Sequence, residues 1–238
     1  MEVRSLYREP EAAGAVDHPA LEFIDVFRIF RSGDVETVAL RGLSLRIERC
    51  EVVAIFGPSG SGKSTFLHLA AALDVPSAGE VRVGGRSLSR MTDDDLAAYR
   101  ARQVAIVFQS DNLWPALSAL ENVEASLRLA GVRSPRKVAS ESLARLGLER
   151  RTRNRAAALS GGEQQRVAIA AAAARSAGLV LADEPTGELD RGNERLVLDA
   201  LLRLREEYRS TVVVVTHSPR VAEAVDRVIE VRDGRAAA

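Results

Sequence analysis

The chain has 238 residues, 46% of them hydrophobic and 28% charged, and its 33 basic and 33 acidic side chains cancel. This length and apolar content suffice for a sizeable core, while the balanced charge supplies no global field for nucleic acid or an anionic membrane surface. A single cysteine, Cys50, excludes an internal disulfide framework and any cysteine-cluster metal site, and fits a reducing cytoplasm.

The first residues carry Glu2, Arg4, Arg8, Glu9, Glu11 and Asp17 without the apolar centre of a signal peptide. Positions 1–20 therefore read as a loose extension and 236–238 as a tail, around one domain at 21–235. No run approaches the ~18 apolar residues that span a bilayer, so no membrane crossing is expected. Leu43, Leu45 and Ile47 alternate with Ser44 and Arg46, and Val81-Arg82-Val83 alternates too, the pattern of an antiparallel portion with one buried face. Short β-branched runs at 52–56, 104–108, 179–182 and 212–215, separated by helix-like stretches, predict an α/β core with a mostly parallel sheet. From about 110 to 158 the strand pattern stops. Helix-like segments at 119–130 and 136–146, parted by Gly131 and Pro135, predict a helical subdomain inserted into that core. An alanine run at 170–174 favours helix.

The first chemical motif follows the run at 52–56: Gly57-Pro58-Ser59-Gly60-Ser61-Gly62-Lys63-Ser64-Thr65, the Walker A pattern in a strand, loop, helix context. Glycines let backbone N–H groups close around phosphate oxygens, and a helix opening near Lys63 adds its positive end. Lys63 suits the β and γ phosphates and Ser64 a Mg²⁺ ion. With 31 arginines and only two lysines, Lys63 and Lys137, the chain otherwise uses arginine. A compact ammonium here reflects chemistry.

Ser160-Gly161-Gly162 at a helix start is a second backbone anion cradle. The run at 179–182 ends in Asp183-Glu184, two carboxylates at the carboxyl edge of a buried strand, where open α/β sheets hold ligands. Asp183 suits Mg²⁺, and Glu184 can polarise a water for attack on a γ phosphate.

Leu159-Ser160-Gly161-Gly162-Glu163-Gln164-Gln165-Arg166 resembles the signature of ABC transporter ATP-binding subunits, and Gln109, Asp190 and His217 fall where that family has its Q-loop, D-loop and switch histidine. Phe30 resembles its adenine-stacking aromatic, usually a tyrosine. The resemblance covers about residues 20 to 235. It implies a P-loop NTPase ABC cassette with a RecA-like core, ATP and Mg²⁺ as ligands, and hydrolysis in which Glu184, His217 and Gln109 act, with Gln109 also touching the metal beside Ser64 and Asp183. It further implies an ATP-dependent homodimer in which residues 159–164 of one subunit serve the ATP of the other, with no nucleic-acid partner. Details such as Asp74 to Glu80 and Leu120-Glu121-Asn122-Val123 resemble the branch of lipoprotein release, macrolide and peptide export, and cell division, whose subunits lie on the inner face of the membrane and drive a separate permease. Leu113, Trp114 and Leu117, in a loop unusually apolar for its place, are the expected permease contact. Cys50, Ala156, Ala171 and Glu188 depart from the family's usual glycine, proline, arginine and asparagine, and none of these is a phosphate or metal ligand.

Two other functions compete. ATPases of DNA repair or translation in this family carry long coiled coils, zinc-binding cysteines or two cassettes, none of which is in this sequence. A module that binds ATP without turnover needs a lost Glu184 or His217, and both are present.

Overall fold

The computed structural model describes residues 18–33, 35–187 and 189–237. Positions 1–17, Asp34, Glu188 and Ala238 lie outside them. Strands β1 (Leu21–Ser32), β2 (Val35–Ile47), β4 (Ala78–Val83) and β5 (Arg86–Ser87) form a four-stranded antiparallel sheet in the order β2-β1-β4-β5. Strands β3 (Val52–Phe56), β6 (Val104–Val107), β7 (Leu179–Asp183), β8 (Thr211–Thr216), β9 (Arg227–Arg232) and β10 (Arg235–Ala236) form a second sheet in the order β10-β9-β3-β8-β7-β6. It is parallel throughout except for the β9/β10 hairpin. The mostly parallel core with an antiparallel companion is the fold class read from the sequence.

Strands buried on both faces explain the continuous β-branched runs. Val53, Ile55, Val213 and Val215 face the antiparallel sheet and helix α1 (Lys63–Ala70), sharing a core with Leu21, Phe23, Leu40 and Phe66. Val52, Val180, Val212 and Val214 face the other way, toward helices α5 (Gly161–Ala174) and α6 (Arg191–Tyr208). Helices α3 (Ala119–Leu129) and α4 (Pro135–Arg145) build a third cluster with Val123, Leu127, Ala139 and Leu143, completed by Val167 and Ala170 of α5. At roughly 1.5–3 kcal/mol for each fully buried Leu or Val, this cluster is substantial in its own right. Helix α5 serves two cores, because Ile169, Ala172 and Ala173 on its other face pack against the parallel sheet.

Local chemistry sets the helix starts. Helix α2 (Asp93–Arg102), α3 and α5 each begin with a reciprocal capping box, Thr92/Asp95, Ser118/Glu121 and Ser160/Glu163. The cap residue of such a box contributes roughly 0.5–2 kcal/mol. Cys50, in place of the expected glycine, sits at φ 58, a left-handed turn that glycine adopts more easily. His18 and Ala20, assigned by sequence to the loose extension, are tied down: Arg49 Nε donates to the His18 carbonyl and Gly84 N–H to that of Ala20.

Strand β6 ends one residue earlier than its β-branched run suggests. Phe108 leaves the ladder because the Asn112 side chain takes both its N–H and its carbonyl, each at 2.7 Å. Chain direction changes there.

Candidate functional site

The order β3-β8-β7-β6 sets four parallel strands side by side, and each ends in a residue singled out by sequence. The phosphate loop follows β3, His217 follows β8, Glu184 follows β7, and Gln109 follows β6 by two residues. Strand order brings them to one edge.

The loop 57–65 lies on β2. A Cβ on Gly62, at φ 100, would stand 2.6 Å from the Ala39 carbonyl oxygen and 2.8 Å from Leu40 Cδ2, so only glycine fits. Gly62 is also the N-cap of α1 and offers no side chain to its first N–H groups, unlike Ser160 at α5. Those donors suit an external anion. Lys63 is buried, and its Nζ donates to the carbonyls of Gly57 at 2.8 Å and Pro58 at 2.9 Å. Ser61 Oγ is buried without a hydrogen-bond partner among the described residues, an orphan that a phosphate oxygen in this loop would relieve.

At the end of β7, the Ser64 hydroxyl lies beside the Asp183 carboxylate. Burial pushes the Asp183 carboxyl above its usual range, against the pull of that hydroxyl and of His68 and Lys63, while the Glu184 charge adds to the rise. No cluster of three His, Cys, Asp or Glu occurs among the described residues. A hydroxyl and a carboxylate beside a phosphate loop nevertheless form an oxygen donor set that fits Mg²⁺, which takes one or two protein oxygens together with substrate phosphates.

Glu184 adopts φ 44, a left-handed conformation uncommon for a non-glycine residue, and its N–H donates to the Val215 carbonyl. Its carboxylate is held from two sides. His217 Nδ1 lies 2.7 Å from Oε1, and Thr216 Oγ1 donates to Oε2 at 3.2 Å. The His217 loop is fixed in turn, because Ser218 Oγ and Arg220 Nη1 donate to the two oxygens of Glu194 on α6. Gln109 approaches the same region, since a Cβ on Gly187 would stand 3.5 Å from its Nε2.

The Ser160 turn lies elsewhere on the chain's surface elements, where it opens α5. Ser160 Oγ accepts from Glu163 N–H, and the Glu163 carboxylate accepts from Ser160 N–H and from Arg151 Nε. These bonds, the one from Ser160 N–H first, hold the Glu163 carboxyl below its usual range. Leu159 is buried, and Gln164 Nε2 donates to the carbonyls of Ala156 and Leu159. A Cβ on Gly162 would run into the Asn193 amide, and one on Gly161 would touch Leu189. Asp190 caps α6, accepting from the N–H groups of Gly192 and Asn193. The turn at 160–162 and Asp190 are thus neighbours within one chain.

Phe30 is 41% exposed on β1, with the Arg28 guanidinium 4.5 Å from its ring centroid. Of the three residues expected to form an apolar contact, Trp114 is 54% exposed, whereas Leu113 packs against the helical cluster and Leu117 is half-buried. Only Trp114 presents a large apolar face. Its backbone is pinned by the buried Asn122, whose amide bonds both Trp114 N–H and carbonyl.

The sequence alone assigns no role of their own to Gln165, which stands inside the 159–166 run, or to Asn112 and Glu194. Gln165 was detectable as a polar residue on a helix face otherwise made of Ile169 and Ala172, at helical spacing. Nothing local marks Asn112 or Glu194.

A family model described as ABC transporter matches residues 40–187. An uncharacterized ABC transporter ATP-binding protein of Thermotoga maritima is 46% identical over 217 residues, covering 90% of this chain and 92% of that protein. The macrolide export ATP-binding/permease protein MacB of Hyphomonas neptunium is 45% identical over 219 residues, 91% of this chain; the chain spans about a third, 34%, of that longer relative. A solved dimeric ATP-binding cassette, MJ0796, in a post-hydrolysis state bound to ADP and Pi, superposes with a TM-score of 0.84 at 40% identity, covering 92% of this chain and 97% of that one.

Proposed function

The chain belongs to the ABC transporter family as an ATP-binding subunit, and from that premise we propose that it hydrolyses ATP in a homodimer to drive a separate membrane permease, by export, lipoprotein release or force transmission. The observation that carries this is the meeting, at the ends of four adjacent parallel strands, of the Lys63 loop, the Ser64–Asp183 pair and a Glu184 carboxylate bonded to His217. ATP hydrolysis is the general reaction of the family.

In this reading Lys63 exchanges its two carbonyl acceptors for phosphate oxygens. Glu184 orients the attacking water and accepts its proton at a carboxylate oxygen, while His217 and Thr216 fix that carboxylate. Ser64, Asp183 and Gln109 would hold Mg²⁺, which when bound neutralises charge developing on the phosphates. Phe30 stacks on adenine with Arg28 behind the ring. Gly161 and Gly162 carry the N–H groups that the Ser160–Glu163 box does not use, and these meet the ATP held by the partner subunit.

No helix among the described residues is long and apolar enough to cross a membrane. In this reading a membrane permease receives the force and brings the subunit to the inner membrane face. Trp114 is the residue placed to meet it. Trp114→Ala should leave the isolated chain folded, because its ring is largely exposed, yet abolish co-purification with the permease in mild detergent. Unchanged complex formation would move the contact off Trp114, to another position on the same helical face. Phe30→Ala should weaken ATP and ADP alike by ~1–3 kcal/mol, the usual worth of one stacking partner. Equal titration curves for wild type and variant would remove Phe30 from the adenine site.

The reaction itself is tested by phosphate release from Mg-ATP by the purified chain. Release that survives Lys63→Ala would rule out this site as its source.

A further inference from the structure

The helix that opens at Ser160 and the loop that carries Gln109 are joined by two side chains, Gln165 and Asn112, to which no role has been given above. Gln165 lies on α5 and is 95% buried, at 5% exposure. Its Nε2 donates to the backbone carbonyls of Phe108 at 3.0 Å and Gln109 at 2.6 Å, and its Oε1 accepts from Asn112 Nδ2 at 3.2 Å. Asn112, in the same loop, also accepts from Phe108 N–H and donates to the Phe108 carbonyl. Two amides therefore clasp the backbone at the exit of β6, and every polar atom of the Gln165 side chain is engaged in doing so.

The placement of this clasp matters. Gln165 lies five residues after Ser160, about 7.5 Å along one continuous helix. That helix is packed on both faces, by Val167 and Ala170 toward the helical cluster and by Ile169 and Ala172 toward the parallel sheet. Packing on both faces stiffens it, so a shift at its first turn would be passed to the Gln109 backbone through these hydrogen bonds. On the proposed function, the first turn faces the partner's ATP, whereas Gln109 faces the chain's own ATP.

We infer that Gln165 and Asn112 are positioning residues for hydrolysis, which lock the Gln109 loop to the Ser160 helix and so link the two nucleotide half-sites of one chain. The inference rests on the ATPase reading above. Both residues bond the backbone of the 108–109 segment and lie outside the 57–65 loop, so breaking the clasp should leave that loop intact and misplace Gln109 alone.

The test uses the full chain with Mg-ATP. Gln165→Leu, Gln165→Glu and Asn112→Ala should each lower kcat by about tenfold to a hundredfold, the scale of a misplaced catalytic group, while the Kd for ATP stays within about twofold. Gln165→Glu has nearly the same size but cannot donate to two carbonyls, so it should fall as far as Gln165→Leu. The double variant Gln165→Leu with Asn112→Ala should be no slower than the worse single, because one clasp can be opened only once. Asn112 is a half-buried loop residue, so Asn112→Ala keeps the test open if Gln165 variants fold poorly.

A folded Asn112→Ala with wild-type kcat, an active Gln165→Glu, or multiplicative losses in the double variant would overturn the clasp. Lys63→Ala and Glu184→Gln serve as controls. If they abolish turnover while the clasp variants do not, the clasp alone is wrong; if they leave turnover intact, the hydrolysis reading falls and takes the clasp with it.

Discussion

Glu184→Gln should slow ATP turnover by ~10²–10⁴ while leaving ATP affinity nearly intact, because the amide keeps the shape of the side chain but cannot accept the proton of the attacking water. The surroundings favour a clean result. His217 Nδ1 and Thr216 Oγ1 approach opposite ends of the carboxylate, and the backbone of Glu184 is anchored to Val215, so the substituted side chain has little room to wander. With turnover stopped, Mg-ATP should hold two chains together, each Lys63 loop facing the partner's Ser160-Gly161-Gly162. Light scattering at increasing protein concentration reads the mass directly. Adding Ser160→Arg should dissolve that dimer, since it removes the α5 cap and places bulk in the cradle. A Glu184→Gln protein that stays monomeric at high concentration with Mg-ATP would remove the main support for a shared site.

Lys63→Ala should abolish tight ATP binding. Two charge-assisted hydrogen bonds to phosphate, at roughly 1.5–3 kcal/mol each, correspond to about 10²–10⁴ in Kd. Lys63 is buried and already bonds two loop carbonyls, so the substitution also leaves the carbonyls of Gly57 and Pro58 without their donor. A thermal melt must therefore accompany the calorimetric titration. Near-normal ATP affinity in a folded Lys63→Ala protein would sink the assignment of the phosphate loop, because the chain's other lysine, Lys137, lies far along the sequence on α4 and pairs with Glu141.

The helix starts and the phosphate loop were legible because their chemistry is local. Gly60 and Gly62 occupy left-handed torsions within a nine-residue motif, and the Ser118/Glu121 and Ser160/Glu163 boxes close over three residues. The continuous β-branched runs announced strands buried on both faces. The end of the run at 104–108 was misjudged by one residue, because the competitor for the Phe108 backbone is the Asn112 side chain, which no strand propensity registers. The apolar loop at 113–117 was read as one surface, yet Leu113 turned inward to the helical cluster and left Trp114 outside.

Residue order along the chain determined which groups stand at strand ends and helix starts, because backbone torsions, caps and two-residue alternation are settled among near neighbours. Which of those ends lie together was decided only when β8 paired between β3 and β7, with Val53 opposite Val213 and Leu181 opposite Val213 from the other side. That pairing brings His217 to 2.7 Å from a carboxylate 33 residues away, and the packing of α5 across the sheet brings Gln165 to backbone atoms 56 and 57 residues away. Contacts at such separations depend on strand order and on how two cores share one helix, and both are properties of the packed whole, since no short segment can bury its apolar faces alone.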